Sequence, residues 1–301
     1  MNTTQKRNRQ AKAAGGYITL PPIAKNKVAE VYYRRAITEE MERMLQSMFA
    51  EIKRAYTTIP MQNAKLTDAE RYARLRKILE RLRRQYGTKL DKNADKIIKK
   101  YMEKASDGVW KSVLKNMRVV YGDGFTIDFD KRKYGRVLRA RATTNAELIK
   151  NTTSQIISNV TNITYDGVTT GQSWTAVEKD LRTQKHIAAD RIKRIARDQT
   201  AKLNENLNEM SQRDAGIEFF EWMTANDERV STGYGGHKQL DGKIYKWGDT
   251  ANYPIIDSYG HRGVPAQRVN CRCTAVPVVL RKDYVAKQTS QGDWVITKGR
   301  L

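Results

Sequence analysis

Between Trp222 and Cys273 the chain gathers residue types able to do chemistry in segments rich in glycine and poor in apolar anchors. Cys271 and Cys273 stand at i and i+2, so on an extended segment both side chains leave from the same face. Their thiolates could then share one ion. His237 would supply a third ligand and Asp227, Asp241 or His261 a fourth, a donor set that suits zinc. The alternative is that both cysteines are small buried hydrophobes lining a sheet. A second arrangement is a polar network in which Arg197, Asp227, Arg229 and Asp241 pair across helix and sheet beside Trp222. Buried charges persist only when paired and hydrogen-bonded, and these loops have little core of their own, so the sequence favours the network. A third is a metal-dependent nuclease centre of Asp227, His237 and Asp241 with the histidine as base. A histidine in a glycine-rich loop is more often structural, and the expectation is that the chain is not an enzyme.

These residues must be held by elements that the hydrophobic pattern outlines. Apolar residues recur at helical spacing from Ala24 to Tyr56, up to the stop at Pro60. The Thr67–Glu70 pair reads as a capping box for a basic helix that Gly87 ends, and a further helix runs from Asp91 to Met117 with an interruption at Gly108. Phe125, Ile127 and Phe129 alternate as in a short strand, and this segment or the basic run after it is the candidate boundary. Three helices follow: one from the Thr144–Glu147 box, a short one capped by Ser173, and a long one from Ile187 to Arg213 with Gly216 as its C-cap. Short strands are then predicted at Ile217–Met223, Ile244–Trp247 and Thr274–Val279, with Pro277 pushing the last toward an edge. The expected class is α+β: an N-terminal helical region followed by a helical layer packed on a small antiparallel sheet. The expected division is a basic flexible arm (1–23), a basic helical domain (24–142), an α+β domain (143–282) and a tail (283–301) with Trp294 as a docking anchor.

The region from about 145 to 280 resembles the Mu F-like family of phage head proteins, related to the SPP1-type head morphogenesis proteins. The residues that carry the resemblance are Ala196-Arg197-Asp198-Gln199, Trp222, Asp227-Glu228-Arg229, His237, Asp241-Gly242, Pro265 and Asn270-Cys271-Arg272-Cys273. The order and spacing of so many elements are specific, although each alone is weak. Two departures stand out: the segment between Arg229 and His237 is long, and Ser231 stands where a second arginine is common. The resemblance implies a minor capsid protein of a tailed bacteriophage, made in the host cytoplasm and placed inside the head near the portal vertex. It would take part in assembly or genome ejection.

Charge agrees with that picture independently. The chain has 301 residues and a formal net charge of +23. Residues 1–150 hold 35 Lys/Arg against 16 Asp/Glu, whereas residues 151–301 hold 21 against 17. A half so basic repels itself unless a polyanion lies nearby. Arg71, Arg74, Lys77, Arg81, Arg84, Lys131, Arg132, Lys133 and Arg136 are the candidates to neutralise phosphates of packaged double-stranded DNA without reading its sequence. The nearly neutral half would dock on protein: the portal first, with the major capsid or scaffolding protein as further contacts. Other readings are a free non-specific DNA-binding protein and the nuclease. No run of about 20 apolar residues suggests a membrane span, and two cysteines one residue apart do not suggest an oxidising compartment.

Overall fold

The computed structural model describes residues 12–23, 26–58, 68–124, 126 and 131–299. Among them are four long helices: α1 (Lys27–Thr58), α2 (Asp68–Tyr121), α3 (Lys131–Thr169) and α4 (Trp174–Asp214). The strands are β1 (Lys12–Ala14), β2 (Tyr17–Thr19), β3 (Phe219–Met223), β4 (Ile244–Lys246), β5 (Thr274–Leu280), β6 (Tyr284–Gln288) and β7 (Trp294–Lys298). They form one antiparallel sheet in the order β1-β2-β5-β3-β4-β7-β6. The expected α+β class, with the helices before most of the sheet, is what forms.

The helices are longer than the punctuation residues suggest. Gly87 lies inside α2 because the apolar stripe continues across it: Leu82, Tyr86, Ala94 and Ile98 are all buried on one repeat. Burying that stripe outweighs the roughly 1 kcal/mol cost of a mid-helix glycine. Gly108 is helical too, and its bare Cα leaves room for Asn26, whose amide donates to Lys104 O at 2.8 Å. The basic run expected at a boundary forms the first turns of α3. Thr144 lies within that helix, its hydroxyl donating to Ala140 O at 3.1 Å rather than capping. The two helices expected after Ser173 are one, α4. Ser173 does cap it, accepting Ala176 N–H on its Oγ at 3.4 Å. Gly216 ends it at φ 75°, with Ile217 N–H closing on Gln212 O at 2.9 Å. The strand expected at Phe125, Ile127 and Phe129 lies outside the described residues, as do Pro60 and Thr67.

The chain forms two compact units that interleave in sequence: residues 28–102 with 139–197, and residues 1–27 with 103–138 and 198–301. Three helices, α2, α3 and α4, each supply residues to both units. In the all-helical unit Tyr33 stacks on Tyr101 with ring centroids 4.4 Å apart and donates its hydroxyl to Asn145 Oδ1 at 2.9 Å. Met41, Leu45, Met48 and Ile52 are fully buried along α1.

The other unit holds the sheet, which strands from both the N-terminal and the C-terminal described segments join. From Lys12 onward the expected arm is a hairpin, β1 to β2. β2 pairs with β5 through Tyr17↔Leu280 and Thr19↔Val278, and Leu20 and Ile23 are buried behind it. The expected tail is likewise ordered as β6 and β7. Trp294 lies edge-on to Phe219 at 5.3 Å instead of standing free as an anchor. Pro277 is not on an edge strand. Its carbonyl accepts Leu20 N–H at 3.0 Å, so its missing donor faces the same side, just past the end of the β2 ladder at Val278. Strand alternation sends Phe220, Trp222 and Ala275 to one cluster, with Tyr245 and Trp247, and sends Phe219, Ile244 and Val278 to the other.

Candidate metal and polar-lock site

Loops between β3 and β5 carry most of the singled-out residues, and polar side chains fasten them. Arg272 donates to Asp227 through both guanidinium nitrogens, Nη2 reaching Oδ1 at 2.5 Å. Arg229 adds its backbone N–H at 3.1 Å and a looser side-chain contact at 3.3 Å. The Arg272 hydrogen bonds, helped by Arg229 and opposed by desolvation, hold the Asp227 carboxyl well below the usual carboxylate range. Asp241 Oδ1 accepts both Thr224 N–H at 2.7 Å and Thr224 Oγ1 at 2.9 Å, which joins the turn after β3 to the turn before β4. Close loop approach is built in at Gly235: it sits at φ 66°, and a Cβ there would lie 2.2 Å from Asp257 O.

The end of α4 is fastened to the sheet in the same way. Asn208 Nδ2 donates to Ala275 O at 2.8 Å, and Glu205 Oε2 accepts Ala275 N–H at 3.2 Å. Gln212 Oε1 accepts the buried Trp247 Nε1–H at 2.9 Å. Asp198, one residue after the predicted Arg197, accepts Asn270 N–H at 2.7 Å and pairs with Lys202 at 2.8 Å. Asn270 is held in the left-handed region at φ 60° just before Cys271.

The predicted thiol–histidine set does come together. His237 Nδ1 lies 3.4 Å from Cys271 Sγ and 3.4 Å from Cys273 Sγ, and the three donor atoms all fall within 4.8 Å of one another. All three residues are buried. His237 Nε2 meets Ile256 O at 3.0 Å, so this nitrogen carries the proton. Trp222 packs edge-on against the imidazole at 5.3 Å, and Ser231 Oγ accepts the His237 backbone N–H at 3.1 Å. Burial pushes the His237 pKa down, but hydrogen bonding and charge from Cys271 outweigh it and the net direction is up. The Cys271 thiol is held well below its ordinary value by its hydrogen bond from Cys273, against burial and with help from His237. The three side chains line a cleft of about 200 Å³ with Ala225, Arg229, Val230, Ser231, Arg268, Val269, Asn270 and Arg272.

Not every predicted partner is there. His261 is exposed and pairs with Asp257 at 2.8 Å. Asp227 and Asp241 are committed to Arg272 and Thr224 respectively. Among the described residues the group able to hold an ion is therefore His237, Cys271 and Cys273. In the polar lock Arg272, rather than Arg197, closes on Asp227, while Trp222 belongs to the core under His237. Asp198, Asn208, Gln212 and Arg272 were missed as site residues. Asp198 and Arg272 stood inside quoted motifs, but nothing in the local sequence showed which neighbour faces the loops. Of the predicted DNA contacts, Arg74, Lys77, Arg81 and Arg84 are exposed on α2 and Arg136 on α3. Arg81 also pairs with Glu51 at 2.7 Å. The side chains of Arg71, Lys131, Arg132 and Lys133 lie outside the described residues.

The fold and site together define an α+β domain in which a long helix and a curled antiparallel sheet are joined by polar locks beside a buried Cys–Cys–His cluster. Residues 158–276 match the family model described as Phage Mu protein F like protein, so the resemblance read from the sequence is borne out over that region. The chain is also similar to a Haemophilus influenzae protein described as an uncharacterized protein, 25% identical over 273 residues. That alignment takes in 89% of this chain and 57% of the relative, so the chain spans little more than half the relative's length. No solved structure matches the chain.

Proposed function

We propose that this chain is a minor head protein of a tailed bacteriophage that acts in head morphogenesis. The observation that carries the reading is the Phage Mu protein F like match, which covers α4, the sheet core and the polar locks in one stretch. Within that reading, the protein sits on the inner face of the head near the portal vertex. Its basic helices lie against packaged DNA and its loop-bearing unit docks on protein.

Two features support the division of labour. α2 carries sixteen Lys/Arg against seven Asp/Glu, and Arg74, Lys77 and Arg84 are exposed along it. Such a helix neutralises phosphates without selecting sequence. The loops of the sheet-bearing unit expose Tyr234, Tyr259 and Val269, at 69%, 87% and 67% of their full area. Large apolar and aromatic side chains held out on fastened loops are the type that anchors protein interfaces.

The DNA assignment is tested on the full chain by measuring duplex-DNA affinity against salt for the wild type and for an Arg74→Gln/Lys77→Gln/Arg84→Gln variant. Each lost phosphate contact should take about 0.9 off the slope of log K against log salt, up to about 2.7 in all. An unchanged slope and affinity would remove DNA from the proposal.

A further inference from the structure

We propose that His237 Nδ1, Cys271 Sγ and Cys273 Sγ hold one zinc ion, with the fourth coordination position open to the adjoining cleft. Nε2 of His237 faces a carbonyl, Ile256 O at 3.0 Å, which can only accept. The proton therefore resides on Nε2 and Nδ1 offers a single lone pair. Two sulfurs approach that one lone pair at 3.4 Å each. The two sulfurs and the nitrogen thus converge within 4.8 Å of one another in a buried position, an arrangement that one cation can bridge.

Zinc–ligand lengths of about 2.3 Å to sulfur and 2.0–2.1 Å to nitrogen put tetrahedral N···S separations near 3.6 Å. The observed separations are close to that value, and the 4.8 Å bound on the whole set leaves room for the ion with small side-chain adjustments. Charge fits as well. Loading releases two protons from the Cys–Cys–His set to solvent, and two thiolates with a divalent ion and a neutral imidazole sum to zero, which a buried position tolerates. Arg272, between the two cysteines, also lines the cleft, and Asp227 takes up its guanidinium charge. The carbonyl on Nε2–H and the Trp222 edge contact fix tautomer and ring plane, as the surroundings of metal-bound histidines do. Because no fourth His, Cys, Asp or Glu among the described residues joins the set, the remaining ligand comes from the cleft and is water at rest. The ion would clip the turn at His237 to the entry of β5, beside the polar locks and over the Trp222 core.

The test uses the full chain. Purified protein is stripped with chelator and then titrated with zinc or cobalt(II). The expected result is one metal per chain by elemental analysis. A thiolate-to-cobalt charge-transfer band should appear and be lost in both Cys271→Ser and Cys273→Ser. On the wild type alone, stripping should lower the thermal midpoint and open both thiols to a thiol reagent, and zinc should reverse both changes. This arm keeps the test decisive if the serine variants fail to fold. A folded wild type that gives no charge-transfer band overturns the proposal, as do thiol reactivity and a thermal midpoint indifferent to zinc. The outcome is independent of the head-protein reading, which particle composition tests.

Discussion

Asp227 shows how much of the site depends on single side chains. It accepts from Arg272 and Arg229, and so ties together loops that also bury Leu240, Tyr253, Ile256 and Val264 in the core. Its folded pKa is depressed from the ordinary value of 3.8. A group of this kind adds stability that is fully present above the unfolded pKa and is lost as pH falls through the folded one. The wild type should therefore hold its thermal midpoint down to about pH 4 and lose the Asp227 contribution below that. Asp227→Asn should lower the midpoint at neutral pH and flatten that part of the acid limb, measured on chelator-treated protein so that metal release plays no part. An acid limb identical in the two proteins would show that this pair does not stabilise the fold.

At the scale of elements, amide side chains of α4 tie it to β5 and to the turn after β4. Gln212 accepts from Trp247 Nε1 and Asn208 donates to Ala275 O, both buried. Gln212→Leu keeps the volume but leaves a buried indole N–H without its acceptor, which should cost about 1–3 kcal/mol in a denaturant titration. A midpoint within error of the wild type would mean that the helix–sheet junction relaxes to supply another acceptor.

The strands β3, β4 and β5 and the start and end of α4 were legible in the sequence, because aromatic runs, Ser173 and Gly216 act locally. The continuity of α2 across Gly87 was not, since only the buried stripe on either side shows that tertiary packing overrides the glycine. Pro277 misled for a related reason: its missing donor matters only where a neighbour needs it, and the β2 ladder stops one residue short. β1, β2, β6 and β7 escaped notice because strands of three to five residues in polar context carry little periodic signal. The convergence of His237, Cys271 and Cys273 was readable from residue type and the i, i+2 spacing. The commitment of Asp227 and Asp241 to other partners was not, because it depends on loop paths that no spacing encodes.

For the molecule as a whole, charge and fold divide differently. Net positive charge steps down near the middle of the sequence, while the compact units interleave through α2, α3 and α4. A truncation at the charge step would cut through both units, so function is better probed in the intact chain with surface substitutions. The central claim is that this polypeptide is built into phage heads. Quantitative mass spectrometry of purified, DNA-filled heads from the producing host tests it most directly. The chain should be present at a small fraction of the major capsid protein and should cross-link to the portal. Heads that assemble, package DNA and contain none of it would contradict the account.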